Sequence, residues 1–143
     1  MEKVLPILYA EDNDNDVELT LAAFRECNLK NRIDVVKDGQ ELIDYLTYQG
    51  KYLNREKERP IVILLDIKMP KLDGLEALRI VKSNKDLKNI PVVMLTSSSM
   101  EKDLVESYKL GANAYIVKPI DFMEFMDSVK NIGTFWALLN RTI

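Results

Sequence analysis

Short apolar runs alternate along the chain with stretches in which apolar residues recur every three or four positions. Residues 7–10, 33–36, 61–65, 92–95 and 114–117 are runs of four or five, mostly rich in Ile, Val or Leu, and that length and composition predict β-strands. Their near-continuous apolarity predicts strands covered on both faces. Between and after them, five sets of residues recur at helical spacing: Val17, Leu21 and Phe24; Leu42, Ile43 and Leu46; Leu75, Leu78 and Val81; Leu104 and Tyr108 with Val105 beside them; and Phe122, Met126, Val129, Ile132 and Trp136. Parallel neighbours need crossover connections, and those connections place helices on both sides of a sheet. The alternation therefore predicts a doubly wound α/β fold with a five-stranded parallel sheet. The longest irregular stretch, "YQGKYLNREKERP" at 48–60, is expected to carry the end of the second helix into a charged, solvated surface loop before the third strand.

Composition narrows this without changing it. The chain has 143 residues, 47% of them apolar, enough for one domain with its own core and too few for a second. A formal net charge of −3 gives no pull toward nucleic acid or an anionic membrane. No apolar run is long enough to span a bilayer, and the N-terminus lacks a basic-then-apolar export pattern. Cys27 is the one cysteine, which suits a reducing cytoplasm. Histidine is absent altogether, which removes histidine-based triads, the usual zinc clusters and a histidine phosphodonor.

The chemistry gathers where the strands end. The first strand ends in "YAEDN", with Glu11 and Asp12; the third ends in "LLDIKMPKLDG", with Asp66; the fourth in "LTSSS", with Thr96 and Ser97; the fifth in "YIVKP", with Lys118. In open α/β sheets ligands bind beyond these carboxyl ends, where the strand order reverses. If the first and third strands are neighbours, about 4.8 Å apart, three carboxylates crowd one pocket and need cations. A divalent metal with oxygen ligands satisfies Glu11, Asp12 and Asp66 together, and few carboxylates with several waters is the pattern of Mg²⁺. Lys118 supplies a second positive charge. A carboxylate held in this way can attack phosphorus, and Thr96 and Lys118 are placed to neutralise the transferred group. Taken singly, each of these residues reads as a helix cap or a turn residue; their convergence on one sheet edge is the signal.

Ordered as they are, these residues resemble the receiver domain of two-component response regulators. "YAEDN" is similar to that family's paired acidic motif, "LLDIKMPKLDG" to its phosphoacceptor strand and loop, "MLTSSS" to its switch hydroxyl and "GANAYIVKP" to its lysine motif with the preceding aromatic, over about residues 5 to 130. The resemblance implies a flavodoxin-like strand order 2-1-3-4-5. It implies that Asp66 accepts a phosphoryl group from a sensor histidine kinase, that Glu11, Asp12, Asp66 and the backbone carbonyl of Lys68 hold Mg²⁺, and that Lys118 and Thr96 grip the phosphoryl oxygens. It also implies a switch in which Thr96 moves toward the phosphate and Tyr115 turns inward, and a cis bond between Lys118 and Pro119. Lys68 and Ser98 stand where variation in the family is associated with dephosphorylation rate. The whole of 1–143 is expected to be one receiver domain, with the extended segment 48–60 and a short extension at 131–143 whose Phe135 and Trp136 are expected to serve as added core, with a partner surface as the alternative. With no effector domain in view, the chain resembles stand-alone regulators encoded with phytochrome-type kinases.

Three rivals fit less well. Asp12, Asp14 and Asp16 mimic the start of an EF-hand loop, but Val17 takes its glycine position and Ala23 that of the bidentate Glu. A dinucleotide site needs a phosphate cradle after the first strand, where "EDNDND" would repel phosphate. Haloacid-dehalogenase-like phosphatases carry a second Asp two residues past the nucleophile, where this chain has Lys68. Within the receiver reading, the protein is expected to be a phosphoacceptor signalling protein that assists only its own phosphorylation and dephosphorylation. It acts either as a phosphorylation-gated module docking a downstream protein through its fourth-helix to fifth-helix face, with a homodimer among its expected forms, or as a phosphorelay intermediate passing phosphate to a histidine phosphotransfer protein.

Overall fold

Alternate residues of the central strands serve two different cores. Leu8, Ala10, Ile63, Leu65, Val92 and Met94 lie in one buried cluster, and Ile7, Tyr9, Val62, Leu64, Val93 and Leu95 in another. The computed structural model describes residues 5–26, 31–97, 100–118 and 123. Within them β1 (Ile7–Ala10), α1 (Asp14–Glu26), β2 (Ile33–Val36), α2 (Gly39–Thr47), β3 (Val62–Leu65), α3 (Gly74–Ser83), β4 (Val92–Thr96), α4 (Glu101–Lys109) and β5 (Ala114–Val117) follow one another. The strands form one parallel sheet in the order β2-β1-β3-β4-β5. Val17 and Phe24 of α1 cover one face; Leu42, Tyr45 and Leu46 of α2 and Ala77, Leu78 and Val81 of α3 cover the other. Burial on both sides is why the strands read as apolar throughout. Each fully buried Leu or Ile contributes about 2 kcal/mol, so this double core can support a sheet edge crowded with like charges.

Three of the described helices, α1, α2 and α3, begin where short polar side chains replace the missing backbone partners. The Asp38 carboxylate accepts from the Glu41 amide at 2.7 Å to start α2, and Asp73 accepts from the Glu76 amide at 2.9 Å to start α3. The Asn13 side chain does the same for the Asp16 amide at 2.9 Å in the first turn of α1. The register pairs Ala10 with both Val36 and Leu65, Leu65 with Met94, and Thr96 with Val117, so β1, β2 and β3 finish level and β4 and β5 finish two residues beyond them. Strand order reverses between β1 and β3, which opens a crevice at their carboxyl ends.

Segment 48–60 is largely the exposed, charged connection that was expected, but it is tethered to the fold at Arg55 and Glu58. α2 ends at Thr47, with Tyr48 in the left-handed region at φ 59°, and a 3-10 turn spans Gly50–Tyr52. The Arg55 guanidinium then lies 3.8 Å from the Tyr45 ring centre and 4.4 Å from that of Tyr48, and donates to the backbone carbonyls of Tyr45 and Glu58 at 2.9 and 3.0 Å. Glu58 is buried and accepts from Arg32 at 2.6 Å. Two of the segment's charges, Arg55 and Glu58, are thus engaged internally, because aromatic faces and helix-end carbonyls offer Arg55 partners and Arg32 pairs with Glu58, while Lys51, Glu56, Lys57 and Arg59 stay exposed.

A departure concerns α4. Leu104, Val105 and Tyr108 share a helical stripe, yet they are 37%, 44% and 49% exposed, and Ser107 is the buried residue of that helix. Two smaller adjustments are the start of β3 at Val62 and the extension of β4 to Thr96. The expected fifth helix, the 131–143 extension with Phe135 and Trp136, Cys27, Ser98 and the Lys118-Pro119 bond all involve residues outside those described.

Candidate functional site

The carboxyl ends of β1, β3 and β5 bring together the side chains of Glu11, Asp12, Asp66 and Lys118 that were singled out in the sequence. Glu11 follows β1, its amide donating to the Val36 carbonyl at 3.0 Å, and Asp66 follows β3, its amide donating to the Ala10 carbonyl at 3.2 Å. The sheet's own ladder thus places two carboxylates side by side. Both are buried, whereas the neighbouring Asp12 is exposed. Carboxylate oxygens of Glu11, Asp12 and Asp66 lie within 4.8 Å of one another. Thr96, buried, ends β4, and its carbonyl accepts from the Lys118 amide at 2.7 Å, so β5 delivers Lys118 by the same device.

The Lys118 ammonium reaches into the cluster and contacts three carboxylates: Glu11 Oε1 at 2.5 Å, Asp16 Oδ2 at 2.7 Å and Asp66 Oδ2 at 3.3 Å. Its side chain is only 9% exposed. Asp16, in the first turn of α1, is the site residue that sequence reasoning missed. Its signal was present in the acidic run "EDNDND", but there it read only as the third oxygen of a decoy calcium loop. Nothing in the spacing says that a residue one turn into α1 points back at the end of β5.

Tyr9 supports Glu11 from beneath, its hydroxyl 3.1 Å from the Thr20 hydroxyl and 3.5 Å from Glu11 Oε1. Burial above all raises the phenol well beyond its usual range, so it remains a donor. Lys68 is exposed and lines an open cleft with Asp12, Ile67, Met69, Pro70 and Asp73. Tyr115, half-buried, packs against the core on the α2 and α3 side.

Three carboxylates in contact with one ammonium have consequences for protonation. Glu11 is pushed up to about 7 by burial, against the pull of Lys118 and with the Asp66 carboxylate reinforcing the rise. Burial alone would lower Lys118, but the carboxylates of Asp16 and Glu11 outweigh it and raise the ammonium above its ordinary value. The site therefore holds excess negative charge next to a fixed cation. An oxygen-only donor set of this kind fits a hard divalent cation.

Comparisons with known proteins agree with this geometry. The family profile described as the response regulator receiver domain matches residues 7–130. Response regulator Rcp1 of Synechocystis sp. is 38% identical over 130 residues, 91% of this chain and 87% of that protein. Among solved structures, the bacteriophytochrome response regulator AtBRR superposes with a TM-score of 0.89 at 52% identity, covering 98% of this chain and 100% of that one. The Mn²⁺-bound form of Rcp1 superposes with a TM-score of 0.76 at 37% identity, covering 92% of this chain and 94% of that one.

Proposed function

Because this chain belongs to the response regulator receiver domain family and so to two-component signalling, we propose that Asp66 accepts a phosphoryl group from a sensor histidine kinase of the phytochrome type. The observation that carries this reading is the convergence of Glu11, Asp12 and Asp66 oxygens within 4.8 Å, with the Lys118 ammonium 3.3 Å from Asp66 Oδ2. An Asp66 oxygen attacks the phosphorus of a phosphohistidine; the P–O bond forms as the P–N bond breaks, and the departing imidazole takes a proton from solvent. Glu11, Asp12, Asp66 and the Lys68 carbonyl would hold a divalent ion, Mg²⁺ in this reading, which supplies charge neutralisation for the phosphoryl oxygens when bound. Lys118 turns one ammonium donor to a phosphoryl oxygen and Thr96 gives its hydroxyl to another. No histidine base is needed, in keeping with a chain that has none. The protein acts on no other substrate; it assists only its own phosphorylation and dephosphorylation.

The output is a change of docking face. Phosphorylation adds about −1.5 to −2 charge at the sheet edge, and the movement of Thr96 and Tyr115 carries this to α4 and β5. Met100, Leu104, Val105, Tyr108 and Val117 are exposed on that side. An apolar surface of this kind favours a protein target or a second copy of the chain over a relay role, in which phosphate would pass on to a histidine phosphotransfer protein. Among the described residues no helix is long and apolar enough to cross a membrane, and we place the protein in the cytoplasm with its kinase.

The test is intact-mass measurement after incubation with acetyl phosphate and Mg²⁺. The protein is expected to gain one phosphoryl group, and to lose that gain with Asp66→Asn or a chelator. Equal labelling of the Asp66→Asn protein would remove Asp66 from the role. A radiolabel chase separates the two outputs: transfer to a histidine phosphotransfer protein faster than hydrolysis supports the relay.

A further inference from the structure

Asp16 stands apart from the other carboxylates of the site. It lies outside the group of oxygens that could share an ion, and among the described residues the one hydrogen-bond or ion-pair partner of its side chain is Lys118, at 2.7 Å. Its backbone amide, by contrast, is engaged independently by the Asn13 side chain, so the start of α1 does not depend on the Asp16 carboxylate. Lys118 has three N–H donors, and all three are directed at carboxylates. Those to Glu11 and Asp16 are at charge-assisted hydrogen-bond distance, whereas the 3.3 Å to Asp66 is long for such a bond. The ammonium is thus drawn toward the Glu11 and Asp16 side of the crevice and away from the phosphoacceptor.

We propose that Asp16 is a positioning residue that competes with the Asp66 phosphoryl group for the Lys118 ammonium and so sets how tightly the phosphorylated state is held. The proposal rests on the reading of Asp66 as phosphoacceptor. An ion held by Glu11, Asp12 and Asp66 occupies Glu11 and loosens that carboxylate's hold on Lys118. Asp16, outside the ion's reach, keeps its own. The first turn of α1 reinforces it, since a helix N-terminus stabilises a carboxylate in place. Lys118 must therefore leave Asp16, or stretch between the two anions, before the phosphoryl oxygens gain its full charge. Removing the Asp16 charge strengthens the phosphorylated state; lengthening its side chain by one carbon, as in Asp16→Glu, preserves the competition.

Affinity for beryllofluoride in the presence of Mg²⁺, a stable mimic of the acyl phosphate, measures this competition at equilibrium. Asp16→Asn and Asp16→Ala are expected to bind it about five- to tenfold more tightly than the unaltered protein, and Asp16→Glu within about twofold of it. In a Lys118→Ala background the same Asp16 changes are expected to add nothing, because the group competed for is gone. Unchanged or weaker binding by both Asp16→Asn and Asp16→Ala overturns the proposal, as does tighter binding by either that persists without Lys118. Failure of the unaltered protein to bind beryllofluoride with Mg²⁺ is a different result, and removes the phosphoacceptor reading itself.

Discussion

Gly74 packs directly against the backbone of Asp66: a β-carbon on Gly74 would fall 1.9 Å from the Asp66 carbonyl oxygen, and the Gly74 amide donates to the Ile67 carbonyl at 2.6 Å. The first residue of α3 and the loop that begins at Asp66 therefore share one volume, with no side chain between them. Gly74→Ala is expected to force that loop outward. The better helix propensity of alanine offsets little of this, and the variant should lose about 3 kcal/mol of stability. Denaturant unfolding gives the loss, and Mg²⁺ affinity should fall with it, because Asp66 moves while Glu11 and Asp12 stay.

Proton release should accompany metal binding near neutrality. Glu11 is pushed up to about 7, by burial first, against Lys118 and with Asp66 reinforcing. Below that value the carboxyl keeps its proton and must surrender it to become a ligand. Mg²⁺ affinity is thus expected to fall up to about tenfold per pH unit below 7, and calorimetry at about pH 6 in two buffers of different ionisation enthalpy should detect close to one proton released. The sign for stability is the reverse of the usual carboxylate case. Between the ordinary 4.5 and about 7 the folded, metal-free protein holds the Glu11 proton more tightly than the unfolded chain, so this residue's contribution falls as pH rises through that window. Glu11→Gln should flatten both dependences.

Arg55 is expected to be structural. It donates to three backbone carbonyls, those of Tyr45, Glu56 and Glu58, and lies over two tyrosine rings. Arg55→Ala should cost about 2 to 3 kcal/mol in thermal or chemical unfolding. Arg55→Lys should recover less than half of it, since a single ammonium cannot reproduce the planar fork. Neither change should alter the yield of phosphorylation at saturating donor.

On α4 the opposite separation is expected. Leu104 and Tyr108 are exposed, and replacing both with Ser should leave unfolding free energy within about 0.5 kcal/mol. The phosphorylated double variant should nonetheless lose at least about tenfold in self-association or target affinity, measured by sedimentation or titration.

The pattern of residues along the chain was enough to place five strands, because burial on both faces leaves each as a short apolar run. It also marked Glu11, Asp12, Asp66 and Lys118, because a charge at the end of such a run stands out against it. Helical spacing grouped Leu104, Val105 and Tyr108 on one stripe, but periodicity reports which residues share a face and not whether that face finds anything to cover it. Composition read 48–60 as a solvated connection, and Lys51, Glu56, Lys57 and Arg59 are exposed, but composition cannot show that the Tyr45 and Tyr48 rings lie within reach of Arg55. Asp16 was hidden for a related reason: its partner, Lys118, is separated from it by most of the chain, and only the parallel sheet and the first turn of α1 bring the two within 2.7 Å. Local sequence determines which segments are buried and which residues can carry charge into them. The pairing of those charges depends on chain crossings that no local pattern records, and the tertiary fold alone decides it.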